Sequence, residues 1–230
     1  MRKLIYVFIF LFSLVFSLTY LHAGASGSSG SSETTSRLPG TEIQTEQSDI
    51  RLKIREVSQS LLGKSGPYLY LNGKKYINDC SGMVRAVFDN IGIDVFSEAS
   101  QFPSGTNGVE IIYKTYRRQS WQNSSRTPKT GDLIIFNNTY DKNDNGRWDD
   151  KYTHVSVVTG VEENGSIVYI HHVSKGIQRY RMNLNKKGIY MEGGVLFNDF
   201  LRRRPSSDND RTKYLSDNMF FAYVDVVGRP

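Results

Sequence analysis

The chain has 230 residues, a formal net charge of +6 and a single cysteine. One thiol excludes an intramolecular disulfide framework. A mild basic excess makes a solvated surface, and the one short basic run, Arg202-Arg203-Arg204, comes without a zinc-finger or RNA-binding motif, so nucleic acid is not an expected partner.

The chain opens with Met1-Arg2-Lys3, continues apolar from Leu4 to Leu18, and reaches small residues at Ala23, Gly24 and Ala25. A basic start, a short apolar stretch and an Ala-x-Ala-like end predict a secretory signal peptide over 1–25. The apolar stretch is short for a spanning helix, which needs about 20 residues. An uncleaved N-terminal anchor is the alternative. Export places the protein outside the cell or in the periplasm and cell envelope, with no stable membrane insertion after cleavage. Loss of Arg2 and Lys3 leaves 27 basic against 23 acidic residues, a net +4 compatible with anionic wall polymers.

Residues 26–48 are rich in Ser, Gly, Thr, Glu and Gln and read as a flexible linker. The remaining 49–230 are long enough for one domain with its own core, expected as a monomer. Ile50, Leu52, Ile54, Val57, Leu61 and Leu62 fall nearer helical than strand spacing, with Gly63 as a stop. Gly66 to Gly73 reads as a turn-rich loop. A second helix starts near Cys80, with Met83, Val84, Val87, Phe88 and Ile91 on one face, Asp79 at the N-cap and Gly92 at the end.

From Gly131 the pattern becomes strands: Asp132–Phe136, Val155–Thr159 and Ser166–Val173, the last two joined through Asn164-Gly165. Phe220–Val227 reads as a closing strand. Helices first and strands second predict an α+β domain, with N-terminal helices packed on a central antiparallel sheet. Tyr113, Tyr116 and Trp121 read as core, and 186–213 carries no legible motif.

Cys80 lies in Asn78-Asp79-Cys80-Ser81-Gly82, in the first turn of the second helix. A cysteine attacks as thiolate, and a helix N-terminus or a neighbouring imidazolium lowers its pKa. Beyond the signal region the histidines are His154, His171 and His172. His154 opens one strand and the other two close the next, so a base and a group to orient it fall within reach. The bland readings are an inert buried cysteine and a zinc site. Consecutive residues on a strand point to opposite faces, so His171 and His172 do not easily share one ion. Spacing alone leaves these alternatives open.

Asp79-Cys80-Ser81-Gly82 followed by an amphipathic helix resembles the nucleophile motif of the NlpC-type cell-wall peptidases, which are papain-like cysteine peptidases. Thr130–Phe136 resembles that family's Gly-Asp-Leu strand, Thr153–Gly160 its catalytic-histidine strand, and Tyr169-Ile170-His171 the strand of the third residue. The resemblance runs from about Ile50 to Leu184. It implies Cys80 as nucleophile, His154 as base, His171 as orienting residue with His172 as its rival, Tyr68 lining the site, and Asp79 and Ser81 flanking the substrate pocket. It implies peptidoglycan stem peptides as substrate, cleaved between γ-D-glutamate and a diamino acid, with no cofactor in catalysis. The segment after Tyr68, Leu69–Gly73, departs from the family's usual Gly-Gly. An N-acetylmuramoyl-L-alanine amidase or an acyltransferase on the same fold is the first alternative. A non-catalytic, calcium-stabilised wall-binding module is the second.

Asp141-Lys142-Asn143-Asp144-Asn145-Gly146-Arg147-Trp148-Asp149-Asp150 has the opening of a calcium loop. Side chains of Asp141, Asn143, Asn145 and Asp149 and the carbonyl of Arg147 suit a structural Ca²⁺. Position 12 is Tyr152 rather than Glu, so Asp150 is the candidate for the missing carboxylate.

Overall fold

A computed structural model describes residues 39–122, 126–205 and 208–228. All of them belong to one unit, Arg37–Pro230. The expected signal peptide and the first part of the expected linker lie outside the described residues.

Helix α1 spans Pro39–Ser60, so it begins inside the stretch expected as linker, ten residues ahead of the expected domain start. Its polar N-terminal half hides its helical character from a hydrophobicity reading. Ile54 in its C-terminal half and Leu61 just past its end anchor it in the core, both fully buried. The loop expected next is instead a hairpin, β1 (Tyr68–Leu71) with β2 (Lys74–Ile77). Asn72 and Gly73 at its tip have φ of 49° and 76°, the pair of positive values that a two-residue I′ turn requires. That Asn-Gly signal was present in the sequence.

Helix α2 (Cys80–Asp89) starts at the expected cysteine. Asp79 caps it: its Oδ1 accepts from the Gly82 N–H at 2.7 Å. Helix α3 (Gly108–Thr115) follows, capped by Asn107. Tyr113 and Tyr116 are buried, as expected of core residues.

The strands β3 (Ser120–Trp121), β4 (Leu133–Phe136), β5 (His154–Val161), β6 (Ile167–Val173) and β7 (Gly176–Met182) come next. Two short strands, β8 (Met191–Glu192) and β9 (Val195–Leu196), form a separate hairpin. A one-turn helix α4 (Ser216–Met219) leads into β10 (Phe220–Val224). The main sheet has the order β3-β10-β4-β5-β6-β7 and every neighbouring pair is antiparallel. The expected α+β architecture is what the chain adopts.

Strand alternation splits the core between the two sheet faces. Leu133, Ile135, Val155, Val157 and Ile170 face the helices and pack with Ile54, Met83, Val84, Val87 and Phe88. Ile134, Phe136, Val158 and Tyr169 face the other way and pack with Tyr214, Met219 and Tyr223. The segment that carried no legible motif therefore helps to cover the second face, through Phe200 and Leu201, beside Tyr214 just past its end.

A buried ion network ties α1 to the sheet. Arg51 donates from Nη1 to Asp132 Oδ1 at 2.9 Å and from Nη2 to Asp225 Oδ1 at 2.8 Å. Asp132 is fully buried and also accepts the Lys129 N–H at 2.7 Å. The aspartate of the Gly131-Asp132-Leu133 run is thus a clamp between helix and sheet, remote in role from the thiol.

Candidate active site

Cys80 and His154 line one cleft of about 320 Å³, with Asp79, Ser81, Asn107, Tyr140, Thr153 and His172 among its walls. Cys80 enters it from the first position of α2, and His154 from the first position of β5. The Asp-Cys-Ser-Gly run has a local cause at each place. Asp79 caps the helix and accepts the Ser81 hydroxyl at 3.0 Å. Gly82 is where β2 crosses closely: a Cβ there would sit 2.0 Å from the Ile77 carbonyl oxygen. Only glycine lets the hairpin press on the helix start and hold the cysteine at the cleft.

His154 lies opposite the end of β6. His171 is its diagonal neighbour on the same sheet face, and His154 Nε2 is 3.0 Å from His171 Nδ1. His171 is fully buried and boxed by Tyr180, at 4.1 Å between ring centroids, and Tyr169, at 5.5 Å. His172 points to the opposite face, half-buried, and lines the cleft near Asp79. Geometry therefore joins His171, not His172, to His154.

The electrostatics depart from the sequence expectation. Burial pushes the Cys80 thiol up to about 11, and the Asp79 carboxylate adds to that. Hydrogen bonds from the backbone of Val155, Ser81 and Cys80 act in the opposite direction and do not prevail. Burial and the neighbouring His172 hold His154 down at about 3. Burial also holds His171 well below the ordinary imidazole value. The resting pair is a neutral thiol beside a neutral imidazole, not the thiolate predicted from the helix start alone.

Tyr68 is not among the cleft-lining residues; its ring carries Lys75 Nζ at 3.6 Å from the centroid. Tyr140 lines the cleft instead, and burial raises the pKa of its hydroxyl. Nothing in the sequence singled out Tyr140, because it reaches the cleft from the irregular stretch after β4.

In the acidic loop, Asp141 accepts the N–H groups of Asn145 at 3.1 Å and Gly146 at 2.7 Å. Asn143 Oδ1 accepts the Asn145 N–H at 3.2 Å, and Asn145 Oδ1 accepts that of Arg147 at 2.8 Å. Asn145 Nδ2 lies 3.3 Å from Asp149 Oδ1. Asp150 stands apart from this set: it is buried and its Oδ2 has no hydrogen-bond partner among the described residues. Among the described residues no group of three or more His, Cys, Asp and Glu side chains could hold a metal ion. The oxygens gathered here are two carboxylates and two amides, hard donors of the kind a hard cation takes.

Residues 70–172 match the family model of the CHAP domain. The CHAP domain is a papain-like cysteine peptidase or amidase domain found in cell-wall hydrolases, typically acting on peptidoglycan. The match takes in Cys80, His154 and His171, and ends at His172. Helix α1 and everything from Val173 onward lie outside it. No curated protein matches the chain. The papain-like reading of the sequence agrees with the CHAP match, and the order helix, cysteine, antiparallel strands is the order seen here. No helix among the described residues is long and apolar enough to cross a membrane.

Proposed function

We propose that the protein is an exported peptidoglycan endopeptidase that cleaves stem-peptide amide bonds with Cys80, His154 and His171. The observation that carries the reading is that His154, which lines the cleft holding the chain's one thiol, pairs at 3.0 Å with the buried His171 behind it.

His154 uses Nε2–H to donate to His171 Nδ1, which leaves its Nδ1 lone pair free as base. As substrate enters, His154 takes the Cys80 proton and the sulfur attacks the amide carbon. Both groups are neutral at rest, so charge separation is confined to the moment of attack. Backbone N–H groups at the start of α2 stabilise the oxyanion. The carbon–nitrogen bond then breaks, His154 returns the proton to the leaving amine, and a thioester remains on Cys80. Water, deprotonated by His154, hydrolyses it and restores the thiol. The favoured bond joins γ-D-glutamate to a diamino acid.

A structural Ca²⁺ held by Asp141, Asn143, Asn145, Asp149 and the Arg147 carbonyl belongs to the same proposal. It would stiffen the stretch between β4 and β5 and supply no chemistry.

The test is mass spectrometry of defined muropeptides incubated with wild type and Cys80→Ala. A new amine at the diamino acid, absent with the variant, is expected. Release of intact stem peptide from muramic acid would instead identify an amidase. Unchanged digestion by Cys80→Ala would overturn the cysteine mechanism.

A further inference from the structure

Beside the cysteine cleft is a larger cavity of about 850 Å³. The two share Tyr140, His154 and His172. The larger cavity is walled by Lys175, Arg202, Arg203, Arg204 and Arg211, and no aspartate or glutamate lines it. These cations lie outside the residues matched to the CHAP domain.

The basic wall is built by the segment that covers the second sheet face. Leu201 N–H donates to the Tyr214 carbonyl at 2.9 Å, and Phe200 bridges Leu215, which fixes the run that follows. Arg202 donates to the Asn138 carbonyl at 2.9 Å and lies 4.3 Å from the Trp148 ring centroid. Arg204 donates to the Asp208 carbonyl. Arg211 lies over the Phe200 ring at 5.6 Å. Arg203 is exposed. Among the described residues, none of the four arginines has a carboxylate partner, although ion pairs occupy Arg51, Arg126 and Arg181 elsewhere. Like charges brought together around one cavity repel unless an anion enters. Arginine is the residue suited to binding carboxylates through paired N–H groups.

Position assigns the anion to one half of the substrate. In an acyl transfer to Cys80, the acyl carbon sits at the sulfur and the leaving nitrogen must meet the proton on His154. The chain beyond that nitrogen therefore continues on the His154 side, where the basic cavity opens. We infer that this cavity is the leaving-group subsite, and that it takes a peptide fragment bearing one or more free carboxylates. The inference rests on the peptidase reading. It makes the chain selective for stem peptides whose leaving half ends in free acids, over those in which the same groups are amidated.

Binding and turnover test this separately. Titration of catalytically silent Cys80→Ala with a diamino-acid–D-Ala dipeptide measures the subsite without any reaction. Its free acid should bind at least about tenfold more tightly than its amide, and Arg203→Glu/Arg211→Glu in the same background should erase most of that difference. In active protein, the ratio of kcat/KM for the free-acid substrate over the amidated one should fall at least about tenfold in the double variant. That preference should also weaken with added salt. Equal binding of acid and amide overturns the inference. So does binding of a glycerol-phosphate oligomer with no binding of the dipeptide, which would make the cavity a phosphate site. Dipeptide binding with no hydrolysis by wild type would spare the subsite and sink the peptidase reading.

Discussion

His154 Nε2 lies 3.0 Å from His171 Nδ1, and His171 Nε2 is buried with no partner among the described residues. Only one arrangement leaves His154 a base toward Cys80: its proton is on Nε2, and His171 carries its own on Nε2. His171 then accepts through Nδ1, orienting the ring of His154 and stabilising its protonated form. His171→Ala should lower kcat by about 10²–10⁴ with little change in KM. His171→Asn keeps an acceptor oxygen near the same place and should recover part of the loss. Steady-state kinetics on a defined muropeptide check both, and equal activity of all three proteins would remove His171 from the mechanism.

The thiol should show its burial directly. With its pKa pushed up to about 11, Cys80 in the empty protein should react slowly with iodoacetamide at neutral pH, and the rate should climb through pH 8–10 without a plateau. Asp79→Asn retains an N-cap acceptor and removes the charge that raises the thiol. The pH–rate curve of that variant should move to lower pH while its melting temperature stays close to wild type. A wild-type curve levelling off near pH 7 would contradict the neutral resting pair.

Gly82→Ala should be poorly tolerated. The added methyl would lie 2.0 Å from the Ile77 carbonyl oxygen, which is backbone and cannot rotate aside. Overpacking of this kind costs at least about 1–3 kcal/mol. Denaturant melts should register the loss, and activity should fall with it because the hairpin is driven off the start of α2.

Arg51→Met removes the cation between two buried carboxylates. Breaking a buried pair from one side costs about 3–5 kcal/mol. Asp132 already has its carboxyl pushed up to about 6 by burial, held back by the neighbouring Arg51. Loss of Arg51 raises it further, so the folded protein holds that proton more tightly than the unfolded chain does. Stability linked to this proton is present at low pH and lost as pH rises through the folded pKa. The deficit of the variant relative to wild type should therefore be larger at pH 8 than at pH 5, measured by urea unfolding at both.

Calcium should raise the melting temperature of wild-type protein, chelator should lower it, and Asp141→Ala should abolish the difference. Binding of the ion gives stability in proportion to the logarithm of its concentration over Kd, about 2.7 kcal/mol at a hundredfold excess. Identical melts with calcium and with chelator would leave the loop as a set of asparagine and aspartate turns.

Local rules reached a long way into this fold. The apolar spacing of Met83, Val84, Val87 and Phe88 placed α2, and Asp79 marked its cap. The alternating β-branched runs placed β4, β5 and β6 within a residue or two. The hairpin β1–β2 is marked by Asn72-Gly73 alone, because its strands are short and mostly exposed and carry no apolar alternation. The polar first half of α1 gave no period to read. β7, with Arg and Gln along it, shows an edge strand's mixed face and no clear alternation.

By itself the sequence determined that a lone cysteine opens a helix, that histidines open and close the strands facing it, and that the chain resembles a papain-like hydrolase. Those are near-neighbour properties, set by spacing of two, three or four residues. Tertiary structure decided the rest. It chose His171 over His172, because side-chain alternation and the β5–β6 register put only one of them on the face of His154. It replaced Tyr68 with Tyr140 at the cleft. It turned the expected low-pKa thiol into a buried neutral one, because desolvation outweighs a helix terminus. It also carried Arg202-Arg203-Arg204 from a run without a motif to the wall of a cavity beside His154 and His171, a position that depends on how Phe200, Leu201 and Tyr214 pack across the second sheet face.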